Sequence, residues 1–353
     1  MMVLLCETAP AFEDTWIECL GDLGRYRMAI ENDDIRDREV WVGQLYYYTK
    51  SLCVPISFSS ARASIMTLFN SMPSGGPTRL APLDAAFVRV HGILFSGKPR
   101  DQLDETIETF IGLLDPFIKK SPKQWLENGY NTAISLACSL LGYGAESNVL
   151  MQAISKKPEE TDVTVDGNTI SEAVPDGTFD LALDFATKTI EKAFKHQGDI
   201  HTLPFVHCIL VFMNHMTQYP AAISCLEDKV PWKYIAFMLN TLLESCEPRY
   251  EIQRHFYLPR KNQLPRPLPE DFAMRGLLYS EDYFPNDWFQ NDNRDDDEMY
   301  FELPSASEER KNRIISLGCR IATSGKWLRW NEEARQFSVP EKYDITLEEE
   351  ITI

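Results

Sequence analysis

Many side chains in this sequence could do chemistry, but few stand at the spacings chemistry needs. His207 and His215 are eight residues apart on one strongly apolar segment, and His196 and His201 straddle a helix break. No HExxH or related ligand set appears, so each histidine reads as a core residue rather than a metal ligand. Gly142-Tyr143-Gly144-Ala145-Glu146-Ser147 has the glycines of a phosphate loop. It follows a helix and lacks the Lys-Ser/Thr ending, so it reads as a turn between helices. A GxSxG elbow is absent, and no cysteine has a neighbouring partner that would mark a catalytic pair. Asp295-Asp296-Asp297-Glu298 lacks the alternation and glycine of a calcium loop and reads as a solvated acidic run. Nothing here argues for an enzyme, a metal, a cofactor or a small-molecule substrate.

Two constellations remain. In Gly21-Asp22-Leu23-Gly24-Arg25-Tyr26-Arg27, Asp22 and Arg25 are helix neighbours at i,i+3, and Arg25 could hold a phosphate. The second runs from Arg266 to Trp327 and interleaves cations (Arg310, Arg313, Arg320, Lys326) with rings (Tyr279, Tyr283, Phe284, Trp288, Trp327). Such interleaving suits a single nucleic-acid strand, with charge for the backbone and rings for the bases. The same rings could instead staple a Pro-rich segment onto helices, and by pattern alone this alternative leads.

Helical periodicity dominates, and no run alternates apolar and polar residues long enough for a sheet, so the chain reads as all-α. Short helices are expected over 12–30, 45–55 and 60–69, and longer ones over Leu83–Leu94, Leu103–Ile118, Gln124–Leu141 and Ser147–Ile154. These are the lengths of stacked helical hairpins. A polar loop at Lys156–Gly177 separates them from helices at Phe179–Lys195, Thr202–Tyr219 and Trp232–Glu247; Thr202–Tyr219 is apolar enough to be central. Residues 259–269 carry four prolines and should be extended. Ser305 and Glu308 have capping-box spacing for a last helix to about Thr323, with Gly325 placed to end it.

The chain has 353 residues, 44% hydrophobic and 25% charged, and 35 Lys+Arg against 53 Asp+Glu give −18. A bulk electrostatic grip on nucleic acid is therefore not expected, although a local basic groove would survive. No segment approaches the roughly 20 apolar residues of a membrane span. The opening residues do not read as a signal peptide. The eight cysteines are scattered with no CxxC pair, which suggests reduced thiols, mostly buried, in the nucleus or cytoplasm.

At the two constellations the sequence resembles a known family. Cys19-Leu20-Gly21-Asp22-Leu23-Gly24-Arg25-Tyr26-Arg27 is similar to the GD(L/I)ARYR helix of the telomerase-activating "ever shorter telomeres" proteins and the related SMG adaptors of nonsense-mediated mRNA decay. Arg266-Pro267-Leu268-Pro269-Glu270-Asp271-Phe272-Ala273-Met274-Arg275-Gly276, Asp282-Tyr283-Phe284-Pro285 and Ser324-Gly325-Lys326-Trp327 look like that family's LPED…RG and GKW marks. The resemblance implies a 14-3-3-like tetratricopeptide region over 1–78, then a DNA/RNA-binding-type stack of helical hairpins, an α-solenoid, over 79–330, then an acidic tail over 331–353. Where the family completes a helical pair, Glu39–Gly43 runs straight into Gln44-Leu45-Tyr46, so the N-terminal region is expected to be shortened by about one tetratricopeptide period.

The implied role is a non-enzymatic adaptor. In the telomere branch it would join single-stranded telomeric DNA or RNA to a telomerase complex, and in the decay branch it would dock on a phosphorylated helicase. Arg25 carries over as the phosphate contact, and Arg275, Arg320, Lys326 and Trp327 are the candidate nucleic-acid contacts. The nucleus is the expected compartment, with the cytoplasm second. Two other readings stay open: a protein-interaction scaffold that touches no nucleic acid, and a phosphopeptide reader using Arg25.

Overall fold

The computed structural model describes residues 81–97, 100–155, 177–246, 267–286, 288–289 and 305–344. Arg25, the three early helices, the 156–176 loop, most of the Pro-rich segment and the acidic run at 292–298 lie outside these residues. Where it is described, the chain is predominantly helical, as the periodicity predicts. It divides into two compact units, residues 1–120 with 135–185, and residues 121–134 with 186–353.

In the first unit, α1 (Pro82–Ser96) begins with proline at a position where no backbone donor is needed. It ends on Gly97, whose φ of 72° lets its N–H return to the Ile93 carbonyl at 2.7 Å. Helix α2 (Leu103–Lys120) buries Leu103, Ile107, Phe110, Ile111, Leu114 and Ile118, one apolar stripe at helical spacing. Asp104 and Glu105 in its first turn and Lys119 and Lys120 in its last complement the helix dipole. The core is aromatic: Phe87 packs on Phe110 at 5.5 Å, Phe110 on Phe185 at 5.4 Å, and Phe95 on Tyr143 at 5.2 Å.

Helices α3 (Pro122–Leu140) and α5 (Gly177–Phe194) are the long helices that the sequence leads one to expect over 124–141 and 179–195. Between α3 and α4 (Val149–Ser155) lies the Gly142-Tyr143-Gly144 segment, all three residues left-handed, so it is a turn and not a phosphate loop. Asn148 serves both helix ends there: its Nδ2 donates to Leu140 O at 3.0 Å, and its Oδ1 accepts from the Leu150 and Met151 backbone N–H groups.

The second unit is built around α6 (Leu203–Met216), apolar on all sides and buried at every residue. A five-residue helix, α7 (Pro220–Ser224), follows, then α8 (Trp232–Glu244), the short α9 (Pro269–Met274) and α10 (Ala306–Ala322). Helices α8 and α10 cross closely, because a Cβ at Gly318 would meet Leu239 Cδ1 at 2.6 Å. Ser305 stands at the start of α10 without the expected cap bond. Its backbone is already helical, and Glu308 pairs with Lys311 at 2.8 Å instead of reaching back. Gly325 does turn the chain after α10, with φ of 63°.

The sequence reading contains no strand, yet β1 (Arg329–Asn331) and β2 (Gln336–Ser338) form an antiparallel hairpin with Trp330 opposite Phe337. Three-residue strands are too short to show a period of two. The expected boundary at residue 330 thus falls within β1. Among the described cysteines, Cys208 and Cys319 are free and buried, and Cys225 and Cys246 are free and partly buried.

Candidate nucleic-acid interface

The LPED residues open α9. Pro269 supplies a fixed φ at the first position, and Asp271, three residues after Leu268, accepts the Leu268 N–H at 2.8 Å. Glu270 and Asp271 then point into the core, where two arginines one helical turn apart on α10 meet them. Arg310 forks onto Glu270, Nε to Oε1 at 2.6 Å and Nη2 to Oε2 at 2.8 Å. Arg313 binds Asp271 through Nη1 and Glu309 through Nη2, and its guanidinium lies 4.8 Å from the Trp288 ring centroid. Trp288 in turn donates its Nε1–H to Asp271 at 3.2 Å. Glu270, Asp271 and Arg310 have no exposed surface.

His207, on the buried α6, completes this network. Its Nδ1 lies 2.9 Å from Glu270 Oε1 and its Nε2 2.7 Å from the Tyr283 hydroxyl. A carboxylate only accepts, so Nδ1–H donates to Glu270, while Nε2 and the Tyr283 hydroxyl share the second bond. Burial alone would raise the Glu270 carboxyl, but the Arg310 charge, the Arg310 hydrogen bonds and His207 reverse this and hold it well below its ordinary range. Burial pushes the Tyr283 phenol up, which keeps it a hydrogen-bond donor. The Glu309 carboxyl is also raised, chiefly by burial and only partly offset by Arg313.

These contacts decide the role of several cations and rings. Arg310 and Arg313 are consumed inside the protein, and Tyr279, Tyr283 and Trp288 are buried. These rings are therefore core residues; most of the Pro-rich segment that they were expected to staple lies outside the described residues. His207 is a core histidine with both ring nitrogens bonded.

Of the four named candidate contacts, Arg275 lies apart from the neighbouring pair Lys326 and Trp327. Arg275, just after α9, is exposed, and its guanidinium lies 5.1 Å from the Phe289 ring centroid. Phe289 packs on Phe284 at 5.1 Å and Phe284 on Tyr283 at 4.8 Å; Arg320, on α10, is half-buried. Arg275, Phe289, Phe284 and Tyr283 thus touch one after another, the neighbouring rings edge-to-face. Phe284 and Phe289 are half-buried. Phe284 is among the interleaved rings of the sequence, and Phe289 is not. Its signal was its place one residue after a Trp, as Phe284 stands one residue after a Tyr.

Lys326 and Trp327 lie with a different group. Trp327 is 3% exposed, stacks on Trp232 at 5.9 Å and donates its Nε1–H to Glu227 Oε2 at 2.7 Å. Burial withdraws its faces from any strand. Lys326 is exposed, 5.9 Å from the Trp327 centroid. Nearby, Lys342 bonds Asp228 at 2.9 Å and Tyr343 packs on Trp232. Asn240 on α8 fixes the hairpin, with its Nδ2 donating to Phe337 O at 2.9 Å and its Oδ1 accepting the Phe337 N–H at 2.7 Å.

Among the described residues, no three His, Cys, Asp or Glu side chains stand together as a metal site, and no helix is long and apolar enough to cross a membrane. A comparison with curated proteins finds no match. A family model does match: the Est1 DNA/RNA binding domain, over residues 42–284. That span includes the LPED segment, Arg275 and Phe284, begins after Arg25 and ends before Arg320 and Trp327. Because the match takes in well over half of the chain, this protein belongs to the Est1 DNA/RNA-binding-domain family.

Proposed function

We propose that this chain is a non-enzymatic helical adaptor that binds single-stranded DNA or RNA through the segment following α9. The observation that carries the reading is exposed Arg275 held over the Phe289 ring, in a family whose domain is described as DNA/RNA binding. The chain's net charge of −18 means that any grip on a polyanion is local, and exposed Arg275 is such a locality. A partner complex containing telomerase, or a phosphorylated decay helicase, is the protein side of this reading, with telomere maintenance or nonsense-mediated decay as the process and the nucleus as the compartment.

The test is fluorescence anisotropy with labelled single strands across a salt series. Arg275→Ala should weaken binding and lower the salt slope by about one, the loss of one phosphate contact. An unchanged slope would remove Arg275 from the interface. The pathway is tested by affinity purification from cell extract with and without nuclease, where telomerase RNA and a decay helicase are the two distinguishing products.

A second reading is a protein-interaction scaffold with no direct nucleic-acid contact. The burial of Trp327, Tyr279, Tyr283 and Trp288 favours it. If no single strand binds even at low salt, where electrostatic attraction is strongest, the scaffold reading stands. Phosphopeptide reading by Arg25 remains a proposal about a residue outside those described; Arg25→Glu should abolish binding of a phosphoserine peptide.

A further inference from the structure

The hairpin after α10 has one edge closed by a side chain and one edge open. In an antiparallel strand the N–H and C=O of a residue point to the same side, and opposed residues exchange either both bonds or neither. Both backbone groups of Phe337 are bonded to the Asn240 side-chain amide, so they face away from β1. Phe337 and Trp330, which stand opposite each other, therefore share no bond, and the cross-strand bonds belong to the flanking pairs Arg329–Ser338 and Asn331–Gln336. The Trp330 N–H and C=O then point outward from the far edge of β1, and among the described residues nothing bonds them. Arg329 and Asn331 on either side are exposed.

We propose that this outer edge of β1 is a docking site for an extended segment of a protein partner, which adds a third strand and sets an acidic side chain opposite Arg329. The proposal goes beyond the nucleic-acid reading and does not depend on Arg275. Asn240 shows the fit on the other edge, where one amide meets both backbone groups of one residue. A residue of an incoming strand presents the same donor and acceptor to Trp330.

The side chains add the specificity. Arg329 has no acidic partner among the described residues, and opposite charges across neighbouring strands attract. The half-buried Trp330 ring is held 4.6 Å from Phe337 and donates its Nε1–H to Glu332 at 2.7 Å, so it offers a fixed apolar neighbour to the third strand. β1 contains neither proline nor lysine, the residues that commonly blunt an edge. A second copy of the chain fits this edge less well, because self-pairing would join only three residues of each β1 while each chain carries −18.

The experiment uses the full chain and begins with amide exchange. Trp330 should exchange freely while Phe337, held by Asn240, is protected; a Trp330 amide as slow as that of Phe337 overturns the proposal. Random short peptides displayed on phage are then panned on the chain, and the isolates are resynthesised. Isolates that support the proposal carry an acidic residue and slow the Trp330 amide. They bind at least about tenfold more weakly to Arg329→Glu, and as weakly to wild type once the peptide amide that meets Trp330 is N-methylated. Trp330→Pro removes the outward donor without removing a cross-strand bond and should abolish binding. Should that variant fail to fold, the N-methylated peptide on the wild-type chain decides alone. Panning that yields no isolate, or isolates that leave the Trp330 amide unchanged, overturns the proposal. So does protection of that amide by a single nucleic-acid strand, or by raising the concentration of the chain itself, in place of a peptide.

Discussion

Glu270 and Arg310 meet as a two-pronged ion pair between α9 and α10, and neither side chain is exposed to solvent. Removing one partner leaves the other charged and buried. Arg310→Ala or Glu270→Ala should therefore cost about 3–5 kcal/mol of stability, measured by urea unfolding. Replacing both by apolar residues of similar volume should recover most of the loss. The salt slope of nucleic-acid binding by the folded Arg310 variant should match wild type, which separates this buried arginine from Arg275.

The same pair gives an acid sensitivity of known sign. Glu270 is depressed in the folded protein, so its stabilisation is present above its unfolded value, near the ordinary 4.5. It is lost progressively as pH falls below that value toward the folded one. Unfolding midpoints measured from pH 6 down to pH 3 should drop most steeply below about 4.5. Glu270→Gln should be less stable at neutral pH and show a shallower acid limb. An acid limb as steep as wild type would assign the effect to other carboxylates.

In the first unit, burial lowers His91 from 6.5 to about 3, with its Nδ1 2.8 Å from the Tyr143 hydroxyl. A folded-state value below the unfolded one means the unfolded chain binds the extra proton. Stability should fall as pH drops through 6.5 toward 3, by at most about 1.4 kcal/mol per pH unit for this one group. Amide exchange in α1 and α2 at pH 7 and pH 5 reads the effect. His91→Gln should flatten it.

Asn240 stands in for a strand at the edge of the hairpin, meeting both backbone groups of Phe337. Asn240→Ala should leave these groups without their protein partner and cost about 1–3 kcal/mol. The loss should concentrate in residues 329–338, seen as faster proteolytic cleavage there while α6 keeps its exchange protection. Uniform loss across α6 would mean that the hairpin and the core unfold together.

Much of the helical frame was legible without coordinates. The apolar run at 202–219 announced the buried α6, the stripe from Leu103 to Ile118 announced α2, and Gly325 marked the turn after α10. All of these rest on local chemistry: periodic apolar residues need one face covered, and a left-handed turn favours glycine. The LPED…RG residues identified the family before any geometry was available.

The use of those residues was not legible. Arginine is a residue of surfaces and phosphates, so Arg310 and Arg313 counted as possible nucleic-acid contacts until α10 was seen to aim them at acids 40 and 42 residues away. Trp327 counted as a stacking ring until Trp232 was seen to cover it. Phe289 drew no special notice until Arg275 was found over it. Sequence by itself determined the helices, the family and the stock of cations and rings. Tertiary structure alone decided which of them face water, because an ion pair or a ring stack between distant segments exists only once packing has brought its two halves together.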